Sequence, residues 1–249
     1  MSDFIHMPGD EKLIFIEQAA LRMGLTKVAI EKDFWVCWLL IKLFSLPELS
    51  DSFIFKGGTS LSKAYGLIQR FSEDIDVSID RALLGFSGDK DPLSATSNTA
   101  RMRSLEALQA ACVKSVKERI APALETAIKK YLPGGWAMEI DPEDELALLF
   151  HFPSVLGQNE FSYITPYLKV EFGARADPWP QNEIAVHSYL SEVFPEQVYE
   201  KSPVLKVLAA ERTFWEKATI LHAEYFRPAE KHAPGRLSRH YCDLHVLSE

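Results

Sequence analysis

No stretch of the 249-residue chain approaches the run of about 18 to 20 apolar residues that spans a bilayer. The nearest, residues 34–44, is short and carries Lys42. The N-terminus holds Asp3, His6 and Asp10 and no basic segment leading into an apolar one, so it does not read as a secretion signal. A cytoplasmic protein is the expectation. Cysteine is scarce: Cys37, Cys112 and Cys242 are far apart, odd in number and without a C-x-x-C pattern, which gives neither a disulfide framework nor a zinc knuckle. Internal repeats and low-complexity segments are also missing.

Positive charge is in deficit as well. The chain has 27 Lys and Arg against 35 Asp and Glu, a net charge of -8, which at first argues against a nucleic-acid partner. The average hides an asymmetry. Residues 131–200 hold twelve acidic side chains against only Lys169 and Arg175, more than the whole excess. Cations gather elsewhere, at Arg101, Arg103, Lys114, Lys117, Arg119, Lys129 and Lys130, and again at Arg227, Lys231, Arg236 and Arg239. These are solvated helix faces or a wall for polyphosphate or RNA.

What is present is ordinary globular material, 47% hydrophobic and 25% charged, in a length that suits one large domain or two small ones. Leu13, Ile16, Ala20 and Leu21 have helical spacing over 10–23. Thr26 is a candidate N-cap for an apolar helix over 29–44 that stops at Pro47. A short strand, 53–55, runs into Lys56, Gly57 and Gly58, and a helix over 60–67 follows. Residues 74–79 alternate as a half-buried strand does. A helical region over 102–130 has a break near Pro122, and strands are expected at 137–140, 147–152, 167–172 and 183–187. Helices over 208–226, with Phe214, Ala218 and Leu221 on one face, and over 239–247 complete the chain. The expected architecture is α+β, with a small mixed sheet flanked by helices over 1–200 and a largely helical lobe over 201–249.

Asp74 and Asp76 stand at i and i+2 on a strand, so they project from one face while Ile75 and Val77 point into the core. Two carboxylates held together repel unless a hard cation joins them, and Mg²⁺ takes one or two carboxylates plus substrate phosphates. The preceding turn strengthens the pattern. Gly57 and Gly58 permit a sharp change from strand to helix, backbone N–H groups at a helix start favour anions, and Thr59 and Ser60 add hydroxyl donors. Lys56 and Lys63 flank this turn as candidate phosphate contacts, and Ser72 and Glu73 shape the approach to the acidic strand.

The run FKGGTSLSKAYGLIQRFSEDIDVSI, residues 55–79, resembles the AbiEii/AbiGii nucleotidyltransferase toxins of the DNA polymerase β-like superfamily. The resemblance extends to Glu31-Lys32-Asp33-Phe34 and to two C-terminal segments. It implies a bilobed nucleotidyltransferase fold using Mg²⁺ (or Mn²⁺), with Gly57, Gly58, Thr59, Ser60 and Lys63 at the nucleotide and Asp74 and Asp76 as metal ligands. It also implies a third carboxylate on a neighbouring strand. Glu171, in Leu168-Lys169-Val170-Glu171-Phe172, has that setting, with Asp177 as competitor and an ion pair as the plainer role.

The family's later lysine and aspartate look like Lys217 and Asp243. Lys217 is expected to neutralise nucleotide phosphate, while Asp243 orients that lysine or acts as a base on the acceptor hydroxyl. The implied activity is transfer of a nucleoside monophosphate from an NTP to an acceptor hydroxyl, by the toxin of a toxin-antitoxin, phage-defence pair. The first acceptor expected is RNA at a tRNA 3′ end, then a protein side chain, with a cognate antitoxin as partner and no membrane association. A cationic small molecule of the aminoglycoside kind is an alternative acceptor, favoured if the acidic 131–200 segment surrounds the cleft. A degenerate binding module is the non-enzymatic alternative. Relatives commonly continue with further helices beyond the Asp-Leu segment, so the C-terminal lobe is expected to be short.

His222, His232, His240 and His245 show no zinc spacing and read as helix and loop residues. Trp179, Trp215 and Tyr225 are candidate base-stacking groups, with Trp215 the one expected in the core.

Overall fold

The computed structural model describes residues 2–72, 74–161, 165–198, 204–228 and 237–248. The expectations for Glu73, Lys231, His232 and Arg236 lie outside the described residues.

A short helix α1 (Ser2–His6) precedes α2 (Gly9–Met23) and α3 (Lys27–Leu43). Thr26 caps α3 as expected, its side chain accepting from the Ala29 N–H at 3.2 Å. Fourteen of the 17 residues of α3 are buried, so this helix has no solvent face and forms the centre of the core. Trp35 stacks on Phe152 and Trp38 on Phe150, which fastens α3 to the strand below.

Three consecutive charged residues of α3 are buried, and each is satisfied. The Glu31 carboxylate accepts from Ser154 Oγ and the Val155 N–H at 2.6 and 2.7 Å. Lys32 Nζ donates to the Thr165 carbonyl at 2.8 Å, and Asp33 accepts from the Tyr189 N–H at 2.7 Å. The Glu-Lys-Asp segment is a set of tethers.

Next come β1 (Phe53–Lys56), α4 (Gly57–Lys63) and β2 (Ile75–Ile79). The helix starts at the glycines themselves and ends at Lys63, earlier than the 60–67 expected from composition. α5 (Asn98–Ser115) and α6 (Ala121–Lys129) are joined without a break by a π-helical turn over Val116–Ile120. Leu108, Cys112, Val116, Ile120, Leu124 and Ile128 are buried and four residues apart. At 3.6 residues per turn such a stripe drifts by about 40° per step, and the wider π turn takes up part of that drift. Pro122 sits two residues past this π turn inside the continuous helix, so the expected break is a π turn.

Strands β3 (Ala137–Asp141), β4 (Asp144–His151), β5 (Leu168–Gly173) and β6 (Gln181–Ala185) follow, then α7 (Tyr189–Val193). β7 (Val204–Leu208) has no counterpart among the strands expected from sequence. Its pattern Val-Leu-Lys-Val-Leu abuts a helix, and the helical pattern expected over 208–226 overlaps its last residue. α8 (Ala210–Tyr225) and α9 (Ser238–Ser248) end the chain and pack on each other.

The sheet order is β3-β4-β5-β2-β1-β7-β6. β5 pairs with β2, and β7 with β1, in parallel, while the other neighbours are antiparallel. The architecture is α+β with a mixed sheet, as expected. The sheet runs on to Leu208, past residue 200. Ile75, Val77, Val170 and Phe172 point to the core, so the alternate residues Asp76 and Glu171 point to the opposite face. No helix of the described residues is long and apolar enough to cross a membrane.

Candidate active site

The glycine turn and the acidic strand meet at a single close approach. Gly57 has φ +78°, in the left-handed region, and a Cβ built on it would lie 1.9 Å from Asp76 Oδ2. Any side chain at this position would displace the carboxylate. A Cβ on Gly58 would lie 3.0 Å from Arg70 Nη2 and from Ser72 Oγ. The two glycines thus leave room for the groups that β2 and its approach bring to the site.

Asp76 stands between Lys56 on β1 and Glu171 on β5, directly opposite both in register. Cross-strand neighbours of this kind have Cβ atoms about 4.5–5.5 Å apart, so two carboxylates and one ammonium share a row. Burial pushes the Asp76 carboxyl up to about 7, helped by Glu171 and Asp74 and opposed by Lys56 and Lys217. Asp74 lies one same-face step before Asp76, with Arg239 Nη1 3.6 Å from its Oδ2. Glu171 pairs with Lys169 at 3.2 Å, and Lys169 reaches Asp141 at 2.9 Å. Glu171 therefore has both properties weighed for it, an ion pair and a place beside Asp76. Asp74, Asp76 and Glu171 line one cavity of about 240 Å³; Asp177 does not.

The opposite wall comes from α8, α9 and the segment before β2. The buried line of α8 runs through Thr213 and Lys217, not through Phe214, Ala218 and Leu221 as the apolar pattern suggested. Lys217 Nζ is 2.9 Å from Asp243 Oδ2. Arg70 takes the same carboxylate with both branches, Nε to Oδ1 at 2.8 Å and Nη2 to Oδ2 at 2.7 Å. Burial opposes the Asp243 charge, but hydrogen bonds from Arg70 and Lys217 hold its carboxyl below the usual range. Asp243 is 1% exposed and occupied on both oxygens, so its chemistry is to hold cations rather than to take a proton.

Several expected contacts are turned elsewhere. Thr59 and Ser60 are fully buried. The Thr59 hydroxyl donates to the Asp74 carbonyl and accepts from the Ser72 hydroxyl, and Ser60 Oγ donates to the Gly57 carbonyl at 2.9 Å. These hydroxyls brace the turn and the acidic strand instead of meeting a phosphate. Lys63 faces the core: its Nζ is 2.9 Å from Asp33 Oδ1 and 3.8 Å from the Tyr189 ring centroid. The spacing that put Lys63 beside the glycines also put it on the inner face of α4. Gly57 and Gly58 do line the cavity.

Two groups without an expected role line it too. Arg70 lies inside the family-like run and has no periodicity to mark it, since only the fold brings residue 70 to residue 243. His240, which the sequence presents as an ordinary helix residue, borders the cavity, and its Nδ1 is buried without a hydrogen-bond partner among the described residues. Burial, Lys217 and Arg239 lower its pKa. Trp215, expected in the core, is 64% exposed, because α8 turns its polar line inward. Trp179 and Tyr225 are exposed and away from the cavity.

Of the described acidic residues in 131–200, Glu171 alone reaches this cavity. Glu139, Asp141, Glu145 and Glu160 are engaged with His151, Lys169, Lys117 and Lys27. The same lining carries Lys56, Arg70, Lys217 and Arg239. Among the described residues no three His, Cys, Asp or Glu side chains converge as an all-protein metal cage. A pair of strand carboxylates completed by substrate phosphates is the arrangement Mg²⁺ takes, and Asp74 and Asp76, crowded with Glu171 at this cavity, fit that donor set.

A family model described as nucleotidyl transferase AbiEii toxin, type IV TA system, matches residues 38–249. The match begins after the buried Glu31-Lys32-Asp33 segment. Among solved structures the chain is similar to MenT4, a nucleotidyltransferase toxin from Mycobacterium tuberculosis H37Rv, with 20% sequence identity and a TM-score of 0.45. That likeness covers 82% of this chain and 58% of the MenT4 chain. No curated protein matches by sequence.

Proposed function

Because the chain belongs to the AbiEii nucleotidyltransferase toxin family, we propose that it transfers a nucleoside monophosphate from an NTP to an acceptor hydroxyl, as the toxin of a toxin-antitoxin pair. The reading rests on one observation above others: Asp76 flanked in register by Lys56 and Glu171, with Gly57 held open against its carboxylate. The bond formed joins the acceptor oxygen to the α-phosphorus, the bond broken releases pyrophosphate, and the acceptor proton goes to solvent. Asp74 and Asp76, with Glu171 beside them, would hold a divalent cation, Mg²⁺ or Mn²⁺. When bound, it neutralises phosphate charge and stabilises attacking and leaving oxygens. Lys217 adds a fixed positive charge for the triphosphate, and Asp243 and Arg70 keep its ammonium in place.

The acceptor is RNA, with a tRNA 3′ end as the first candidate. The cations lining the cavity support a polyanionic acceptor, and the described acidic side chains of 131–200 other than Glu171 lie outside it and give a cationic small molecule little to bind there. A cognate antitoxin restrains the activity. Incubation with Mg²⁺, each labelled NTP in turn and total RNA should label RNA, and Asp76→Ala should abolish the labelling. Equal labelling by Asp76→Ala, or no NTP consumed with RNA, protein or small-molecule acceptors, would remove this function.

A further inference from the structure

A second cavity, of about 520 Å³, opens beside the carboxylates and shares Lys56, Glu216 and Ile220 with their pocket. Its floor contains Ser78 on β2 and Gly173 on β5. These are the next same-face residues after Asp76 and Glu171, and they pair with each other in register. The floor therefore lies one same-face step, about 7 Å, along the sheet from the acidic row. Leu108, Leu146 and Ile220 contribute apolar wall.

Two residues that line this cavity each carry a buried polar atom with no hydrogen-bond partner among the described residues. Arg212 Nε is a donor. Glu216 Oε1 is an acceptor, the other carboxylate oxygen being held by Lys56 at 3.1 Å. Both residues line the cavity, one helical turn apart on α8. Unpaired buried groups are rare enough to call for an explanation. An apolar slot of this size with a few convergent polar groups is the usual form of a small-molecule site.

We infer that this cavity takes the nucleoside of the incoming nucleotide, with Arg212 and Glu216 reading the edge of its base. Each nucleobase sets N–H donors against ring or carbonyl acceptors, which is the complement of one donor and one acceptor on adjacent helical turns. The flat ring faces meet the apolar wall, and continuity at Lys56 and Glu216 puts the phosphates over the carboxylates. The inference rests on the nucleotidyl-transfer reading and adds to it a site of base selection.

The test uses the full chain with Mg²⁺ and RNA, comparing kcat/KM for the four NTPs and, by calorimetry, their Kd values. Wild type should prefer one base. Arg212→Met should cut that preference about tenfold. Gly173→Met, which grows from a position with nothing within 4 Å of its Cβ, should raise KM and Kd for every NTP without unfolding the chain. Two variants from different elements keep the outcome readable if one folds poorly. A wild type without base preference, or a preference and KM unchanged in both variants, overturns the inference and leaves nucleotidyl transfer standing. A wild type that neither binds nor consumes any NTP removes both.

Discussion

Lys63–Asp33 and Lys217–Asp243 are both buried lysine–aspartate pairs at 2.9 Å, one beneath the sheet and one at the cavity. Around Asp33 the charges balance: one ammonium meets one carboxylate, the Tyr189 ring covers the ammonium and the Tyr189 N–H fills a carboxylate oxygen. Around Asp243 they do not. Arg70 and Lys217 share a single carboxylate, leaving one positive charge in excess where the cavity opens. A closed pair stabilises a packing arrangement, whereas an over-charged one presents a field to a ligand. Distance and burial do not separate the two; stoichiometry does.

The comparison can be broken from either side. The largest effect is expected at the closed pair, where Asp33→Ala leaves Lys63 buried without its carboxylate and should cost about 3–5 kcal/mol of unfolding free energy. Replacing both, Asp33→Leu with Lys63→Met, should recover most of that in denaturant titrations. If Asp33→Ala unfolds at the wild-type midpoint, the core pair is not structural. At the open pair, Lys217→Met leaves Asp243 held by Arg70 with both oxygens filled, so the melting temperature should move little. Activity should fall about 10²–10³-fold. A variant that loses stability and keeps activity would reverse the assignment.

The smallest effect concerns a third cation. Lys42 has ring faces instead of a carboxylate, with Tyr131 at 3.2 Å and Trp38 at 5.2 Å, and burial pushes its pKa down from 10.5 to about 8. Between these two values the unfolded chain binds the proton that the folded chain has lost, so stability rises with pH across the window. Unfolding measured from pH 8 to 10.5 should show this slope in wild type and not in Lys42→Met.

Much of the fold was legible in sequence because local patterns carry it. Thr26 marked the start of α3, and the alternation around Ile75 and Val77 oriented the acidic pair. The strand at 204–208 was hidden because an apolar run that abuts a helix has no punctuation between the two. The inward face of α8 was misread for a related reason: hydrophobic periodicity identifies a core-facing stripe, but α8 buries Thr213 and Lys217. In the site, Asp74, Asp76, Gly57 and Gly58 stand out by spacing and alternation, while Glu171, Lys217 and Asp243 are reached only through the family resemblance. Arg70, His240, Arg212 and Glu216 are reached by neither, since their partners lie on other elements or are absent from the chain.

Sequence alone determined which face of β2 carries its carboxylates, because strand periodicity leaves no other choice once Ile75 and Val77 are apolar. It also determined that residue 57 is a glycine beside an acidic strand. Tertiary structure alone decided why: a Cβ at that glycine would collide with Asp76. It likewise decided that Lys63 serves the core and Lys217 the cavity, since each lysine meets its carboxylate, Asp33 or Asp243, on another element of the fold. Chemical type is written locally, but its use is set by which distant charges the fold brings within about 3 Å, the range at which hydrogen bonds form.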